Sequence, residues 1–231
     1  MSCSQLRGIK ELYTRGQPEH LPRAEHSSVS MYPTAHFLIS AAAAAQFPQD
    51  CGAEVAIVGR SNAGKSSAIN AILARRSLAR TSKTPGRTRL VNFFEVAPAA
   101  RLIDLPGYGY AAGPREDRAT WAGLIEGLKP RQSLRGLLLV VDARRGILAG
   151  DQQLLDWAAS FAPPLPVHVL FSKSDQLTRA EGLRLLRIAS TEPPTPYSAQ
   201  LFSAHKSIGL DEARAVLDAW LGIARESTKA V

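Results

Sequence analysis

Cysteine is scarce in this 231-residue chain: Cys3 and Cys51 are too few for a disulfide framework and sit at no metal-ligand spacing. A reduced, cytoplasmic setting is the simplest expectation. No apolar run approaches the ~18–20 residues of a membrane span. The nearest candidate, Phe37 to Phe47, is too short and is broken by Ser40. Residues 1–33 have no sustained period and no apolar signal core, and Glu11, Glu19 and Glu25 argue against a transit peptide. A mobile extension is expected there. Acidic residues are missing between Glu54 and Glu95, where Arg60, Lys65, Arg75, Arg76, Arg80, Lys83, Arg87 and Arg89 all fall. With a formal net charge of +8, that stretch points to a polyanionic partner. The content of 45% hydrophobic and 21% charged residues excludes a disordered chain and leaves enough material for one domain with a full core.

What is present is organised around Gly59-Arg60-Ser61-Asn62-Ala63-Gly64-Lys65-Ser66. The apolar, β-branched run Val55–Val58 precedes it, and the helix-like Ala68–Leu73 follows. Strand, G-x-x-x-x-G-K-S, helix is the context that makes the pattern a phosphate-binding P-loop rather than a chance glycine turn. The glycines let the backbone fold tightly, so that successive N–H groups and the helix N-terminus face one anion. Lys65 would then reach the outer phosphates and the Ser66 hydroxyl would hold Mg2+.

The rest of the chain alternates. Strands are expected over 34–40, 90–96, 101–105, 136–142, 166–171 and 197–202. Helices are expected over 114–129 and 151–161, after the capping box Thr178-Arg179-Ala180-Glu181, and around Leu210 to Leu221. Ser40 reads as the cap of a helical turn through the alanines after it. This order implies an α/β fold, a mostly parallel six-stranded sheet with helices on both faces, and ligand loops along one edge. The domain is expected over 34–224, with 225–231 as a tail.

Three further motifs close strands. Asp104-Leu105-Pro106-Gly107 is Walker-B-like: Asp104 would hold Mg2+ through water and the Gly107 N–H would sense a terminal phosphate. Ser172-Lys173-Ser174-Asp175 can read guanine, because a carboxylate accepts from both N1 and N2, while Lys173 lays its stem along the base. Backbone N–H groups of Phe202-Ser203-Ala204 could meet guanine O6, on position alone. Asn62 is a candidate K+ ligand beside the phosphates, or merely an asparagine that stabilises the loop turn. Arg144 and Arg145 read equally well as a solvated face or as ligand-directed.

Together these pieces resemble a Ras-like GTPase, a three-layer fold. Ser82 to Phe94, Asp104 to Tyr110 and Asp151-Gln152-Gln153-Leu154 resemble the EngB family of bacterial GTP-binding proteins. The resemblance implies that Gly86-Arg87-Thr88-Arg89-Leu90 closes over GTP or GDP, and that Thr88 contacts Mg2+ when the γ-phosphate is present. It also implies a role in assembly of the large ribosomal subunit, with a family link to cell division and septation. The basic 75–89 segment would face its rRNA, and a monomer is the expectation. Ser172 stands where the family usually has Thr, and Tyr108 where Ras-type enzymes have a water-orienting glutamine. Hydrolysis should therefore be slow, at or below roughly 10⁻⁴ s⁻¹. The rivals are an ATPase or nucleotide kinase, disfavoured by Ser172–Asp175, and an RNA-binding protein with a vestigial pocket, disfavoured by intact Lys65, Ser66, Thr88 and Asp104.

Overall fold

The structure is a computed structural model that describes residues 32–79, 90–109, 115–191 and 195–224, without the side chains of 115–118. Its sheet has seven strands in the order β1-β3-β4-β2-β5-β6-β7. These are β1 (His36–Ala41), β2 (Ala53–Gly59), β3 (Val91–Ala97), β4 (Ala100–Asp104), β5 (Leu134–Asp142), β6 (Val167–Ser172) and β7 (Ser198–Leu201). The pairings β2–β4, β2–β5, β5–β6 and β6–β7 are parallel, while β3 runs against both β4 and β1. The sheet has one strand more than the six-stranded sheet expected, because the strand anticipated over 34–40 joins it as β1, pairing antiparallel with β3 at the edge.

β5 is continuously apolar because both its faces are covered. Leu137, Leu139 and Val141 pack with α2 (Arg115–Glu126) and α3 (Ala149–Ala159), through Leu124, Leu154, Leu155 and Ala158. Leu138 and Val140 face the other way, onto α1 (Lys65–Ile72) and α5 (Leu210–Leu221), through Ile69, Ile72, Ala213 and Leu217. α4 (Arg179–Ser190) joins the first face through Ala189. Each such side chain contributes about 1.5–3 kcal/mol when fully buried, so this alternation fixes the register of the central strands.

α5 also holds α1 in place. Arg214 Nε donates to the Ile72 carbonyl at 2.9 Å and Nη2 to Ala71 at 3.1 Å, closing the C-terminus of α1 with a cation.

Two local expectations are corrected. Ser40 lies inside β1 and gives its hydroxyl to Asn92 Oδ1 at 2.7 Å, so it caps nothing. The short 3-10 turn Ala44–Gln46 is held by Gln46, whose side chain accepts from the Ala42 N–H at 2.7 Å. Tyr32, expected within the extension, is buried and donates to Asp218 on α5 at 2.7 Å. Residues 1–31 and 225–231 lie outside the described residues.

Candidate nucleotide-binding site

Six of the seven strands point the same way, so the loops following β2, β4, β5, β6 and β7 gather along one edge of the sheet. Gly59 ends β2, where an added Cβ would lie 2.6 Å from the Val140 carbonyl oxygen. Only hydrogen fits there. The chain then turns through Arg60, Ser61, Asn62 (φ 66°), the buried Ala63 and Gly64 (φ 97°), and enters α1 at Lys65. No side chain caps that helix. Its first N–H groups, Lys65 and Ser66 among them, therefore remain directed at the loop's concave side.

Across from the loop, β4 delivers Asp104, whose Oδ1 receives the Lys65 ammonium in a direct ion pair. Asn92 Nδ2 donates to the other oxygen at 3.2 Å, and Ser40 stands behind Asn92. This Ser40–Asn92–Asp104 relay fixes the carboxylate and was not evident from sequence. Leu105 and Pro106 are buried beneath it, and Gly107 passes close to the P-loop: a Cβ there would meet Ser61 Oγ at 2.9 Å. The Ser61 N–H donates to the Tyr108 carbonyl at 2.9 Å, zipping the two loops together.

The loop after β6 is fastened to the P-loop directly. Ser172 Oγ donates to the Ala63 carbonyl and to Val141 O at 3.0 Å. Lys173 Nζ donates to the Asn62 carbonyl at 2.7 Å and to Asp142 Oδ2 at 2.9 Å. Asn62 and Lys173 both adopt left-handed backbones, which costs on the order of 1 kcal/mol or more for a non-glycine residue and is typical of functional loops. The exposed Asp175 is oriented by Ser203 Oγ at 2.6 Å, and the buried Ser174 N–H is held by the Phe202 carbonyl at 3.1 Å.

Of the three residues after β7, Phe202 gives its N–H to Phe171 O at 2.9 Å and Ser203 gives its N–H to Ile208 O at 3.0 Å. The expectation that all three amides face a ligand therefore narrows to Ala204, with Ser203 acting through its hydroxyl.

Asp142, closing β5, is a participant that sequence reading passed over. Arg144 grips it through Nε at 2.8 Å and Nη2 at 2.6 Å, and with Lys173 holds the carboxyl well below the usual range despite its burial. Its signal was its position: like Asp104, it is an acid at the carboxyl end of a central strand. Tyr108 donates its hydroxyl to Asp151 on α3, with Trp121 against its ring at 5.9 Å. Burial, reinforced by that carboxylate, pushes the phenol far above its ordinary value, so it stays protonated.

Leu90 is exposed beside β3. Gly86, Arg87, Thr88 and Arg89 lie outside the described residues, as do Arg80 and Lys83. Arg75, expected to face a polyanion, gives one guanidinium N–H to the Pro33 carbonyl, tying the P-loop helix to the segment before β1, and keeps its charge.

A phosphate-cradling loop and a fixed carboxylate on one edge of a mostly parallel, three-layer sheet define a P-loop protein of the Ras-like GTPase fold. Residues 54–173 match the family model described as 50S ribosome-binding GTPase. The chain is 44% identical over 200 residues to the probable GTP-binding protein EngB of Coxiella burnetii, covering 85% of this chain and 97% of that one. It is 45% identical over 193 residues to the same-named protein of Mannheimia succiniciproducens, covering 82% and 93%. The crystal structure of a probable GTP-binding protein EngB superimposes with a TM-score of 0.60 at 19% identity, over 74% of this chain and all of that one. Era in complex with MgGDPNP and nucleotides 1506–1542 of 16S ribosomal RNA shares the fold, with a TM-score of 0.55 at 23% identity over 79% of this chain and 60% of that one. The chain belongs to the EngB family of GTP-binding proteins.

Proposed function

We propose that the protein is a molecular switch that binds Mg2+·GTP, hydrolyses it slowly, and times a step in assembly of the large ribosomal subunit in the cytoplasm. The observation that carries the nucleotide reading is the direct bonding of Ser172 and Lys173 to the Ala63 and Asn62 carbonyls. It holds Asp175 at a fixed offset from the phosphate cradle, as one nucleotide touching both would require. Lys65 would exchange the Asp104 carboxylate for phosphate oxygens. For the metal, the described residues hold no group of three or more His, Cys, Asp or Glu able to chelate an ion. The Ser66 and Thr88 hydroxyls, with Asp104 through water, would hold a Mg2+ that takes part of its octahedral shell from phosphates. When bound, that ion neutralises charge on the phosphates. The ribosomal role is supported by the description of the matched family model and by the basic, acid-free stretch before Glu95. A septation phenotype would follow from poor ribosome supply.

Titration of labelled GDP, GTP and ATP tests this reading. Asp175→Asn should weaken GTP by about tenfold or more, the ~1.5–3 kcal/mol of a charged hydrogen bond, and favour xanthosine nucleotides. Equal affinity for ATP, or unchanged GTP binding in the variant, refutes the base assignment.

A further inference from the structure

A cavity of about 430 Å³ lies on the outer wall of the P-loop. Arg60 to Ala63 form one side, the Asp142 to Leu148 turn after β5 forms the other, and Lys173 lies between them. Gly64, Lys65, Ser66, Asp104, Asp175 and Ser203 do not line it, so it adjoins the nucleotide site, sharing Arg60 to Ala63 and Lys173 as a common wall, and opens on the other side of that wall.

Its charges do not balance. Four cations, Arg60, Arg144, Arg145 and Lys173, face two carboxylates, Asp142 and Asp151. Both carboxylates are already committed. Asp142 is occupied by Arg144 and Lys173, while Asp151 accepts from the Tyr108 hydroxyl and from the Leu148 N–H at 2.8 Å. Arg60 and Arg145 have no ion-pair partner among the described residues. Arg60 is half-buried, its stem packed against Gly109, and Arg145 is exposed on the opposite wall.

We propose that this cavity is an anion site for a phosphate group, bound by the guanidiniums of Arg60 and Arg145 with the outer edge of Arg144, and that a phosphodiester of structured RNA supplies it. Guanidinium forks match phosphate oxygens in pairs, and Arg144 and Arg145 are exposed, which suits a backbone phosphate arriving on a large partner. The same chemistry would accept a free oligophosphate. The site is also wired to the P-loop. A phosphate that draws Arg144 from Asp142 leaves that carboxylate to Lys173, whose other hydrogen bond goes to the Asn62 carbonyl. Occupancy and nucleotide affinity are thereby coupled, with equal and reciprocal effect. The coupling rests on the nucleotide reading above, whereas the anion site does not.

The test uses the full-length protein saturated with GDP and Mg2+, titrated separately with large-subunit ribosomal RNA and with inorganic tripolyphosphate. Arg145→Glu should weaken RNA binding about tenfold at low salt and reduce the log–log salt slope by about 0.7–0.9. GDP affinity should stay at the parent value. Arg135→Glu, an exposed charge reversal at the opposite end of β5, should bind RNA more nearly as the parent does, with no such change in slope. Dependence on Arg145 for tripolyphosphate alone keeps the anion site and assigns it to a free oligophosphate. If neither probe separates Arg145→Glu from the parent, or if Arg135→Glu loses as much, there is no site and net charge alone is acting. A parent that binds no GDP refutes the nucleotide reading, and the RNA arm still decides this one.

Discussion

Both ends of the central strands gather carboxylates, but the two ends treat them differently. At the amino end, Glu54 is fully buried and accepts from Arg131 Nε at 2.6 Å, Arg131 Nη2 at 2.9 Å, Arg101 Nη1 at 3.1 Å and Ser133 Oγ at 2.7 Å. Asp50 beside it takes the Gln132 and Ser133 N–H groups at 2.8 and 3.0 Å. Two acids meet two arginines and their hydrogen-bonding capacity is filled from within. At the carboxyl end, Asp142 and Asp151 are also satisfied, yet four cations surround them, and the helix entering at Lys65 has no cap. Buried polar groups that serve only the fold are closed off, because an unmet one costs stability. A surplus of one charge type is tolerated where a ligand of the other sign completes the set.

The closed end should break hardest. Replacing Glu54 with Gln leaves two nearly buried guanidiniums facing an amide, and removing one partner of a buried pair costs about 3–5 kcal/mol. At ~2–4 °C per kcal/mol for a chain of this size, the thermal midpoint should fall by roughly 6–20 °C. GDP affinity of the protein still folded should hold at the parent value. A variant that melts like the parent would show that this cluster is not a structural clamp.

The contrast also explains what the sequence disclosed. The P-loop is one continuous stretch, and Asp104 and Asp175 each follow an apolar strand, so strand, loop and residue type sufficed to place them. Partners that meet only after folding were hidden. Asn92 and Asp104 are 12 residues apart, Asp142 and Lys173 31, and Tyr108 and Asp151 43. Nothing local requires such pairs. Ser40 misled for the converse reason: a serine before an alanine run satisfies the cap pattern, but pairing of β1 with β3 claimed it. The strand over 34–40 was legible, but its place in the sheet depends on that same long-range pairing. The bond from Arg75 to the Pro33 carbonyl was hidden in the same way, since the two are 42 residues apart.

His168 offers a milder test, inside the sheet between the two ends. It is fully buried on β6, with Nδ1 2.7 Å from Ser198 Oγ and Nε2 2.9 Å from Gln200 Oε1. Burial lowers its pKa from the usual 6.5, against a smaller upward push from Gln200. The folded protein therefore holds it neutral while the unfolded chain takes up a proton. That contribution is intact above pH ~6.5 and is lost as pH falls below it, by at most about 1.4 kcal/mol per pH unit. Urea unfolding between pH 7 and 5.5 should show this decline, and His168→Asn should flatten it. Equal slopes in parent and variant would mean that His168 is not the group titrating.

The smallest effect is expected where the open end touches switch-like structure. Tyr108 follows Gly107, but its hydroxyl is committed to Asp151 on α3 and its ring to Trp121. A phenol held there has its one proton committed to Asp151 and no donor left with which to align water at a γ-phosphate. Its work is to tether the loop after β4 to α3, and Asp151 retains the Leu148 N–H at 2.8 Å when the tyrosine hydroxyl is removed. Tyr108→Phe should then cost about 1 kcal/mol of stability, the net worth of one hydrogen bond. The GTP hydrolysis rate should change by less than about twofold, against the 10²–10³-fold loss seen when a direct transition-state donor is deleted. If positive charge beside the phosphates comes instead from K+ at Asn62, the rate should be higher in potassium than in sodium at equal ionic strength. Parent and variant should share that ratio, since Tyr108 takes no part in it. A hydrolysis rate that collapses in Tyr108→Phe would put the hydroxyl at the reaction centre and overturn its assignment as a tether. Equal rates in the two salts would leave Asn62 as a residue that shapes the loop, its carbonyl serving Lys173.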